Sequence, residues 1–428
     1  DVRIFGSEPV SGWERKGNLW QVTLPDSFFG DMNPFSTSIR NPGDMGESTV
    51  DPAREWGWLM YGRWAHLGDV YLDGEGLTEQ ETSEGLSAPM TWHVTPEQDR
   101  TTITANFGDA NPNRSRVEVN VRPHAFFPVT PGLSFITVRG FEMSNTANWW
   151  APPIVFQPGA VGPNGGHHWI IEHNLVRHAK TVCISLGNPS GKADVTLSGR
   201  HIVRHNILRK CGQAGIAGQR WNSYSHIHDN IIEDINYRNE FGGYETAGIK
   251  FHHATGSLIE HNFIHGVSGT EGFSGHGIWI DFKNRDIRIT RNVLYRVSGI
   301  SIYMEANWGG PFSIDNNIIF GNLNKSSSSR DEVWAHNLMV DTRMEWEDQT
   351  FGGRPPVDNA RWLNNVFTGQ GLEAAPKRNT FVMNNNLFLA GAQPGWQDED
   401  SLVSDFDPAA SLSVDDSGVT LTYRWPAE

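Results

Sequence analysis

The chain has 428 residues, of which 34 are basic and 49 are acidic, and its formal net charge at pH 7 is −15. This charge disfavours the phosphate backbone of nucleic acids and the surface of anionic membranes as partners. No apolar run approaches the roughly 20 residues that span a bilayer, so we expect no nucleic-acid and no membrane partner.

The N-terminal stretch DVRIFGSEPV lacks the basic and apolar regions of a signal peptide. We therefore expect a cytoplasmic location rather than a secreted one. The two cysteines, Cys183 and Cys211, lie in mostly apolar surroundings, and we expect each to be a buried free thiol.

Residues 1–12 begin with DVRIFGS, which is typical of one strand of a solenoid. Residues 13–125 differ, because LWQVTL, GDVYLDG, TTITANF and VEVNV alternate with period two between turn signals such as DANPN. This alternation predicts a small antiparallel β-sandwich. Since LSFITVRGFEM then resumes the solenoid type of strand, the sandwich is predicted to be an insertion.

A single motif recurs through residues 126–395: an apolar residue, two polar residues, an asparagine and two apolar residues, as in IEHNLV, VRHNIL and IHDNII. The spacing of 20 to 32 residues is that of one solenoid coil with loops of variable length. We expect each asparagine to adopt left-handed backbone at a turn and to bond its neighbours in a ladder. The nine are Asn174, Asn206, Asn230, Asn262, Asn292, Asn317, Asn337, Asn365 and Asn386.

The fold class predicted is therefore all-β, a stacked β-solenoid with an inserted antiparallel β-sandwich. Residues 396–428 form an acidic C-terminal extension, whose segment VTLTYRW is predicted to pair as a strand.

A second strand follows several of the asparagine turns, in VCISLG, AGIAGQ, AGIKFHH, HGIWIDF and SGISIYMEA. We align these strands on the first isoleucine, which places Ile300 beside Ile278. Because side chains alternate across a strand, the first, third and fifth residues after that isoleucine face outward if the isoleucines fill the core. Outward positions then include Lys250, Trp279 and Ser301, followed by Gln219, His252, Asp281 and Tyr303, and finally Glu305.

Asp281 and Glu305 are the candidate catalytic pair. In this alignment they lie on adjacent coils and two residues out of step, so their Cα atoms are roughly 8 Å apart. Side chains leaning together would approach the roughly 5 to 5.5 Å of a retaining glycosidase pair, and the wider spacing of an inverting pair stays open. The simpler interpretation is that both are solvated surface acids. Against it, the alignment places Trp279, Lys250 and His252 beside them, and surface acids seldom have such neighbours.

The segments GSEPVSGW, LPDSFFGDMNPF, WAPP, YETAGIKFHH, GIWIDF and MEANWGGPF resemble glycoside hydrolase family 120, the β-xylosidases. The resemblance implies a right-handed parallel β-helix interrupted by a β-sandwich, and a retaining exo-glycosidase acting on xylo-oligosaccharides. It implies that Asp281 is the nucleophile and Glu305 the acid/base, with no metal and no cofactor. The sugar contacts it implies, with decreasing support, are Glu245, Lys250, His252, Trp279, Asn307 and Asn33.

Other classes stay open from the sequence. An arabinosidase or glucosidase would differ by a few contacts in the pocket. A polysaccharide lyase of the same fold would use Lys250 or His252 as a base, often with Ca²⁺, whereas a sugar-binding or purely structural solenoid would not need Asp281. A homo-oligomer is a further expectation, since closed assemblies are common among soluble enzymes.

Overall fold

The structure is a computed structural model, described here for residues 2–37, 65–149, 156–188, 199–220, 222–241, 245–269, 275–347, 356–373, 380–395, 400–415 and 418–425. These residues contain no α-helix, and two short 3₁₀ turns cover Asp26–Phe28 and Ser83–Ser87. Within the same residues, no helix has the length and apolar character needed to cross a bilayer. The WAPP segment and most of the Gly-rich loop before the GIWIDF strand lie outside the described residues.

Three faces of parallel strands build the solenoid, and each coil contributes one strand to each face. We call the faces A, B and C in chain order within a coil. Face A precedes the asparagine, face B follows it and face C comes next. Faces B and C are joined into one 18-stranded sheet, and Val293–Glu305 and Ile318–Ser327 run through both faces.

The strand bounds follow from the pairing. Face A consists of Thr137–Arg139, Ile170–Glu172, Ile202–Arg204, His226–His228, Leu258–Glu260, Arg285–Thr290, Gly309–Asp315, Glu332–Ala335, Arg361–Leu363 and Val382–Asn384. Face B consists of Val2–Phe5, Phe141–Thr146, Leu175–Ala179, Ile207–Arg209, Ile231–Glu233, Phe263–Val267, the two long strands, Leu338–Val340, Val366–Thr368, Leu387–Leu389 and Leu402–Ser404. Face C consists of Gly159–Val161, Val182–Ser185, Ala214–Gly218, Ala247–His252, His276–Asp281, the two long strands and Arg343–Glu347.

The asparagines form the predicted ladder. At each step the side-chain amide donates to the Oδ1 of the asparagine one coil later, from Asn174 to Asn206 at 3.0 Å and on to Asn386. The same amide also donates to a carbonyl of the preceding turn, as from Asn174 to Val138 at 3.0 Å. These buried polar groups are therefore satisfied by the neighbouring coils.

The left-handed backbone is at a different residue from the one predicted. The residue before each asparagine has positive φ, for example 54° at His173 and 53° at His205. The asparagine itself is in the adjoining position, from which its side chain reaches along the stack. His, Asp and Asn are among the residues that tolerate the left-handed region, which explains their frequency at the preceding position.

The core is a stack of apolar side chains inside the solenoid. In face C, Ile184, Ile216, Ile249, Ile278 and Ile302 follow one another in register, and all five are fully buried. Large aromatic residues such as Trp334, Trp362 and Phe367 fill the later coils.

The prediction of two free thiols is wrong. Cys183 and Cys211 form a disulfide, with their Cα atoms 5.8 Å apart, and both residues are fully buried. The two residues belong to consecutive coils, so a separation of 28 in sequence becomes adjacency in space.

The β-sandwich is inserted between the first and second strands of face B. Val2–Phe5 pairs in parallel with Phe141–Thr146. One sandwich sheet consists of Ser7–Pro9, Val117–Asn120, Val70–Leu72 and Glu75–Gly76. The other consists of Glu14–Lys16, Leu19–Pro25, Arg100–Asn106, Thr91–Pro96 and Thr78–Glu79. At the C-terminus, Ser411–Asp415 pairs with Gly418–Thr422, which confirms the strand predicted there.

A buried cluster of charges joins the sandwich to the solenoid. Asp69 of the sandwich accepts from Lys180 at 3.0 Å and from Arg238 at 2.9 Å. Glu240 contacts the same two cations at 3.3 and 3.1 Å. The two acids and two bases therefore balance each other, as buried charges require.

Candidate active site

Two columns of side chains point outward from face C. The first, which we call the Lys250 column, continues through Trp279 to Tyr303. The second, the Asp281 column, runs from His252 through Asp281 to Glu305. Adjacent strands are about 4.8 Å apart, so each column places groups from successive coils side by side.

The register of Glu305 differs from the one predicted. Ile278 pairs with Ile302 rather than with Ile300, so Asp281 and Glu305 are directly opposite and not two residues out of step. Ser301, which was predicted to face outward beside Trp279, is fully buried, and Tyr303 takes that place. The alternating isoleucines at 300 and 302 offered two alignments, and the choice of the first one was wrong.

Asp281 contacts two basic side chains on the preceding coil. Its Oδ2 lies 2.9 Å from Nε2 of His252 and 3.3 Å from Nζ of Lys250. Burial raises the pKa of the Asp281 carboxyl, but the charges of Lys250 and His252 and their hydrogen bonds together outweigh burial. The pKa of Asp281 is therefore well below its ordinary value. Asp281 is therefore held ionised, as a nucleophile needs.

Glu245 completes this group from the residues before the Ala247–His252 strand. Its Oε1 contacts the Lys250 ammonium, and its Oε2 accepts from Nε2 of Gln157 at 2.8 Å. Glu245 has a φ of +81°, unusual for a residue other than glycine, and is almost fully buried. Backbone of this kind is found where the surrounding contacts fix it, often at functional sites.

Glu305 is held by an aromatic residue. The Nε1–H of Trp279 donates to its Oε2 at 3.1 Å. The Trp279 ring stacks on Tyr303 with centroids 5.4 Å apart, and the His276 ring is perpendicular to it with centroids 4.6 Å apart. Burial raises the pKa of Tyr303, and the charge of Glu305 adds to the effect.

Lys250 also contacts the face of Trp279, with Nζ 3.0 Å from the ring centroid. A buried ammonium above an indole is a favourable cation–π arrangement. Lys250 therefore contacts Glu245, Asp281 and Trp279 together, and connects the group around Asp281 to the residue that donates to Glu305.

Two of the predicted sugar contacts are not part of this cluster. Asn307 is fully buried and its Oδ1 accepts from the Nδ2 and the backbone N–H of Asn284, while its Nδ2 donates to Ile280 O. We do not retain it as a sugar contact, because its amide is used between coils. Asn33 holds a turn of the sandwich, where it donates to Asp26 at 2.9 Å and accepts from the backbone of Phe35.

Glu245, His252 and Asp281 each offer an atom to a common point, with the atoms within 4.8 Å of one another, as three metal ligands would. The Lys250 ammonium contacts both carboxylates of this set. A cation is therefore already supplied by the chain where a metal ion would have to bind.

Sequence reasoning missed Gln157 and His276. Gln157 lies in a segment without the repeat, so no period pointed to it. His276 begins the strand His276–Asp281 and accepts from the backbone N–H of Ile300 at 3.2 Å, and burial lowers its pKa to about 3. A signal for the register was present, because Ile184, Ile216 and Ile302 each follow the preceding ladder asparagine by ten residues.

Comparison with known protein families gives two matches. Residues 10–91 match the insertion domain of glycoside hydrolase 120, and residues 159–332 match the right-handed β-helix region. No curated protein matches the sequence significantly.

Among solved structures, XylC in complex with xylose superposes with a TM-score of 0.84 at 28% identity, over 99% of this chain and 78% of that one. A structure described as a glycoside hydrolase gives a TM-score of 0.44 at 11% identity, over 94% and 82% of the two chains. The catalytic unit of a GH87 α-1,3-glucanase from Streptomyces thermodiastaticus strain HF3-3 gives 0.29 at 10% identity, over 92% and 89%. At their TM-scores the last two add nothing about the function of this chain.

The match to the insertion domain of glycoside hydrolase 120, the match to the β-helix region and the superposition on XylC together identify a glycoside hydrolase. The particular similarity is to glycoside hydrolase family 120, because residues 10–91 match its insertion domain and the chain superposes on XylC at 28% identity.

Proposed function

We propose that the protein is a retaining exo-acting β-xylosidase that releases xylose from xylo-oligosaccharides. Asp281 is the nucleophile in this proposal, and Glu305 is the general acid and base. Glu245, Lys250, His252 and Trp279 line the subsite of the sugar that is released, and no metal or cofactor takes part.

The observation that carries the proposal is the different surroundings of two carboxylates in direct register. Asp281 faces Lys250 and His252, whereas Glu305 accepts from the neutral indole of Trp279. Two carboxylates in unlike surroundings are suited to the separate roles of nucleophile and proton donor. Direct register on strands about 4.8 Å apart also favours the short spacing of a retaining pair over the wider spacing of an inverting one.

The reaction then runs in two steps. Asp281 attacks the anomeric carbon while protonated Glu305 donates its proton to the departing glycosidic oxygen, and a glycosyl ester forms on Asp281. In the second step Glu305 removes a proton from water, which attacks the anomeric carbon and releases Asp281. Two inversions at one carbon leave the anomeric configuration unchanged.

The choice of xylose depends on the similarity to XylC, which was solved with that sugar. An arabinosidase or glucosidase of the same fold is the alternative that a substrate panel separates. For a lyase, Lys250 is less suited as a base because its ammonium is engaged by Glu245 and Asp281.

The test is hydrolysis of a panel of aryl α- and β-glycosides by the wild type and by Asp281→Ala and Glu305→Ala, with the product anomers followed by NMR. We expect β-xylose to appear first, turnover to be lost in Asp281→Ala, and azide to rescue Glu305→Ala with formation of β-xylosyl azide. Replacement of the exposed Glu373 by alanine is the control for a general effect of removing an acid.

Near-normal turnover by folded Asp281→Ala would refute the assignment. Release of the α-anomer would replace retention by inversion, and an unsaturated product absorbing in the ultraviolet would identify a lyase.

The cytoplasmic location stays a prediction, as does a homo-oligomer. The Cys183–Cys211 disulfide counts against the cytoplasm, since disulfides persist chiefly in oxidising compartments.

A further inference from the structure

The outward face of face C continues past the catalytic pair. Glu305 pairs in register with Ser327, and Ser327 pairs with Glu347 one coil later. Ser327 therefore lies next to Glu305 on the side away from Asp281. Because Ser327 is fully buried, the accessible surface at this place comes from its neighbours.

Those neighbours are an ion pair that spans two coils. Nζ of Lys325 lies 2.5 Å from Oε2 of Glu347, and the two side chains are 20% and 51% exposed. Together they offer both donors and acceptors without net charge. A surface of this kind suits the hydroxyl groups of a neutral sugar better than a carboxylated one.

The order of the coils gives the direction of the substrate. Glu245, Lys250 and His252 lie on the coil before Asp281, which places the sugar that is attacked on that side. The proton donor contacts the glycosidic oxygen, so the leaving group must extend past Glu305 toward later coils.

We propose that the Lys325–Glu347 pair is the leaving-group subsite, which binds the hydroxyls of the neutral sugar unit that departs. The proposal rests on the proposed function, because it uses the assigned roles of Asp281 and Glu305.

Space for a longer leaving group is present on the same coils. A cavity of about 510 Å³, which is within the size range of ligand pockets, is lined in part by Asn322 and Leu323, two residues that precede Lys325 on its strand. Leu323 lines the cavity and precedes Lys325 by two residues on the strand Ile318–Ser327, so the two side chains are on the same face of that strand. The cavity lining combines apolar and polar groups, among them His276, Ile300, Asn322, Leu323, Arg343 and Gln370.

The experiment compares a sugar leaving group with an aryl one. We would measure kcat/KM for xylobiose and for 4-nitrophenyl β-xyloside with the wild type, Lys325→Met and Glu347→Gln. In each variant we expect the ratio of xylobiose to aryl substrate to fall about tenfold, because the lost charged hydrogen bonds serve the departing sugar. The matched controls are Lys16→Met and Glu14→Gln, which break an exposed Lys–Glu pair of 3.1 Å on the sandwich.

An unchanged ratio in both variants, or an equal loss on both substrates, would overturn the subsite and leave the β-xylosidase assignment intact. If the folded wild type cleaves neither substrate, the proposed function fails and the subsite fails with it.

Discussion

The indole N–H of Trp279 donates to Oε2 of Glu305 at 3.1 Å, while Lys250 lies above the same ring, 3.0 Å from its centroid. Lys250 in turn pairs with Asp281. Trp279 is therefore connected to both carboxylates, directly to Glu305 and through Lys250 to Asp281.

Replacement of Trp279 by phenylalanine keeps a ring beneath Lys250 but removes the donor to Glu305. We expect kcat to fall by about tenfold, with a smaller change in KM, because one hydrogen bond that orients Glu305 is lost. Trp334→Phe is the matched control, since Trp334 donates to buried Glu332 at 2.8 Å. A fall in kcat of the same size in the control would show a general effect on stability instead.

Removal of the Lys250 charge alters the pH dependence of the reaction. Burial raises the pKa of Asp281 and Lys250 is the strongest influence that lowers it, so in Lys250→Met the pKa must rise. In the proposed mechanism Asp281 reacts only when ionised, so we expect the acidic limb of kcat/KM to move to higher pH in the variant. An acidic limb at the wild-type position would show that Lys250 does not control the charge of Asp281.

Asn307 separates a structural role from substrate binding. Asn307→Ala removes the bonds to Asn284 and Ile280, and we expect the free energy of unfolding to fall by about 1–3 kcal/mol. The KM of the folded variant should stay near the wild-type value. Asn262→Ala, which breaks the asparagine ladder, is the matched control. A raised KM in Asn307→Ala and not in Asn262→Ala would show that Asn307 contacts the sugar.

Buried neutral histidines make the fold sensitive to acid. Burial lowers the pKa of His201 to about 3, whereas an unfolded histidine titrates near its ordinary value. Below that ordinary value only the unfolded chain binds the proton, so stability is full above it and is lost as the pH falls toward 3. His201 alone accounts for a loss of about 2 kcal/mol between pH 7 and pH 5.

The measurement is chemical denaturation at both pH values for wild type and His201→Asn. The variant should lose about 2 kcal/mol less on acidification. His336→Asn, at an exposed site, is the matched control.

The disulfide closes a segment with a sequence separation of 28, which corresponds to about 3–4 kcal/mol in the chain-entropy description. We expect two thiols to appear when the denatured protein is reduced. We also expect the double variant Cys183→Ala/Cys211→Ala to melt at a lower temperature than the wild type. Mass spectrometry of unreduced peptides checks the pairing. Two alkylated cysteines in the unreduced native protein would contradict it.

The sequence predicted the parts of the fold that repeat. The ladder requires a primary amide at one position of each coil, so the asparagines remain visible even where the loops differ in length. The left-handed residue was misplaced by one, because His173 and its equivalents carry no such strict chemical requirement.

The repeat itself predicted only the part of the candidate site that lies on repeating strands, whereas Glu245 was named through the family resemblance. Asp281 and Glu305 are on repeating strands, and only the choice between Ile300 and Ile302 misplaced their offset. Gln157 comes from a segment without the repeat, and the disulfide depends on where two coils turn. Contacts of this type are set by the path of the chain in space, which local periodicity does not encode.

In the asparagine ladder, the length of a coil is independent of the register between coils. Its steps join residues 32 apart at one coil and 20 apart at another, with the same 3.0 Å bond. A coil can therefore be about a dozen residues longer or shorter while its asparagine keeps the same place in the ladder. The length of the loops around the substrate can evolve freely, while the spacing of the two carboxylates is inherited unchanged.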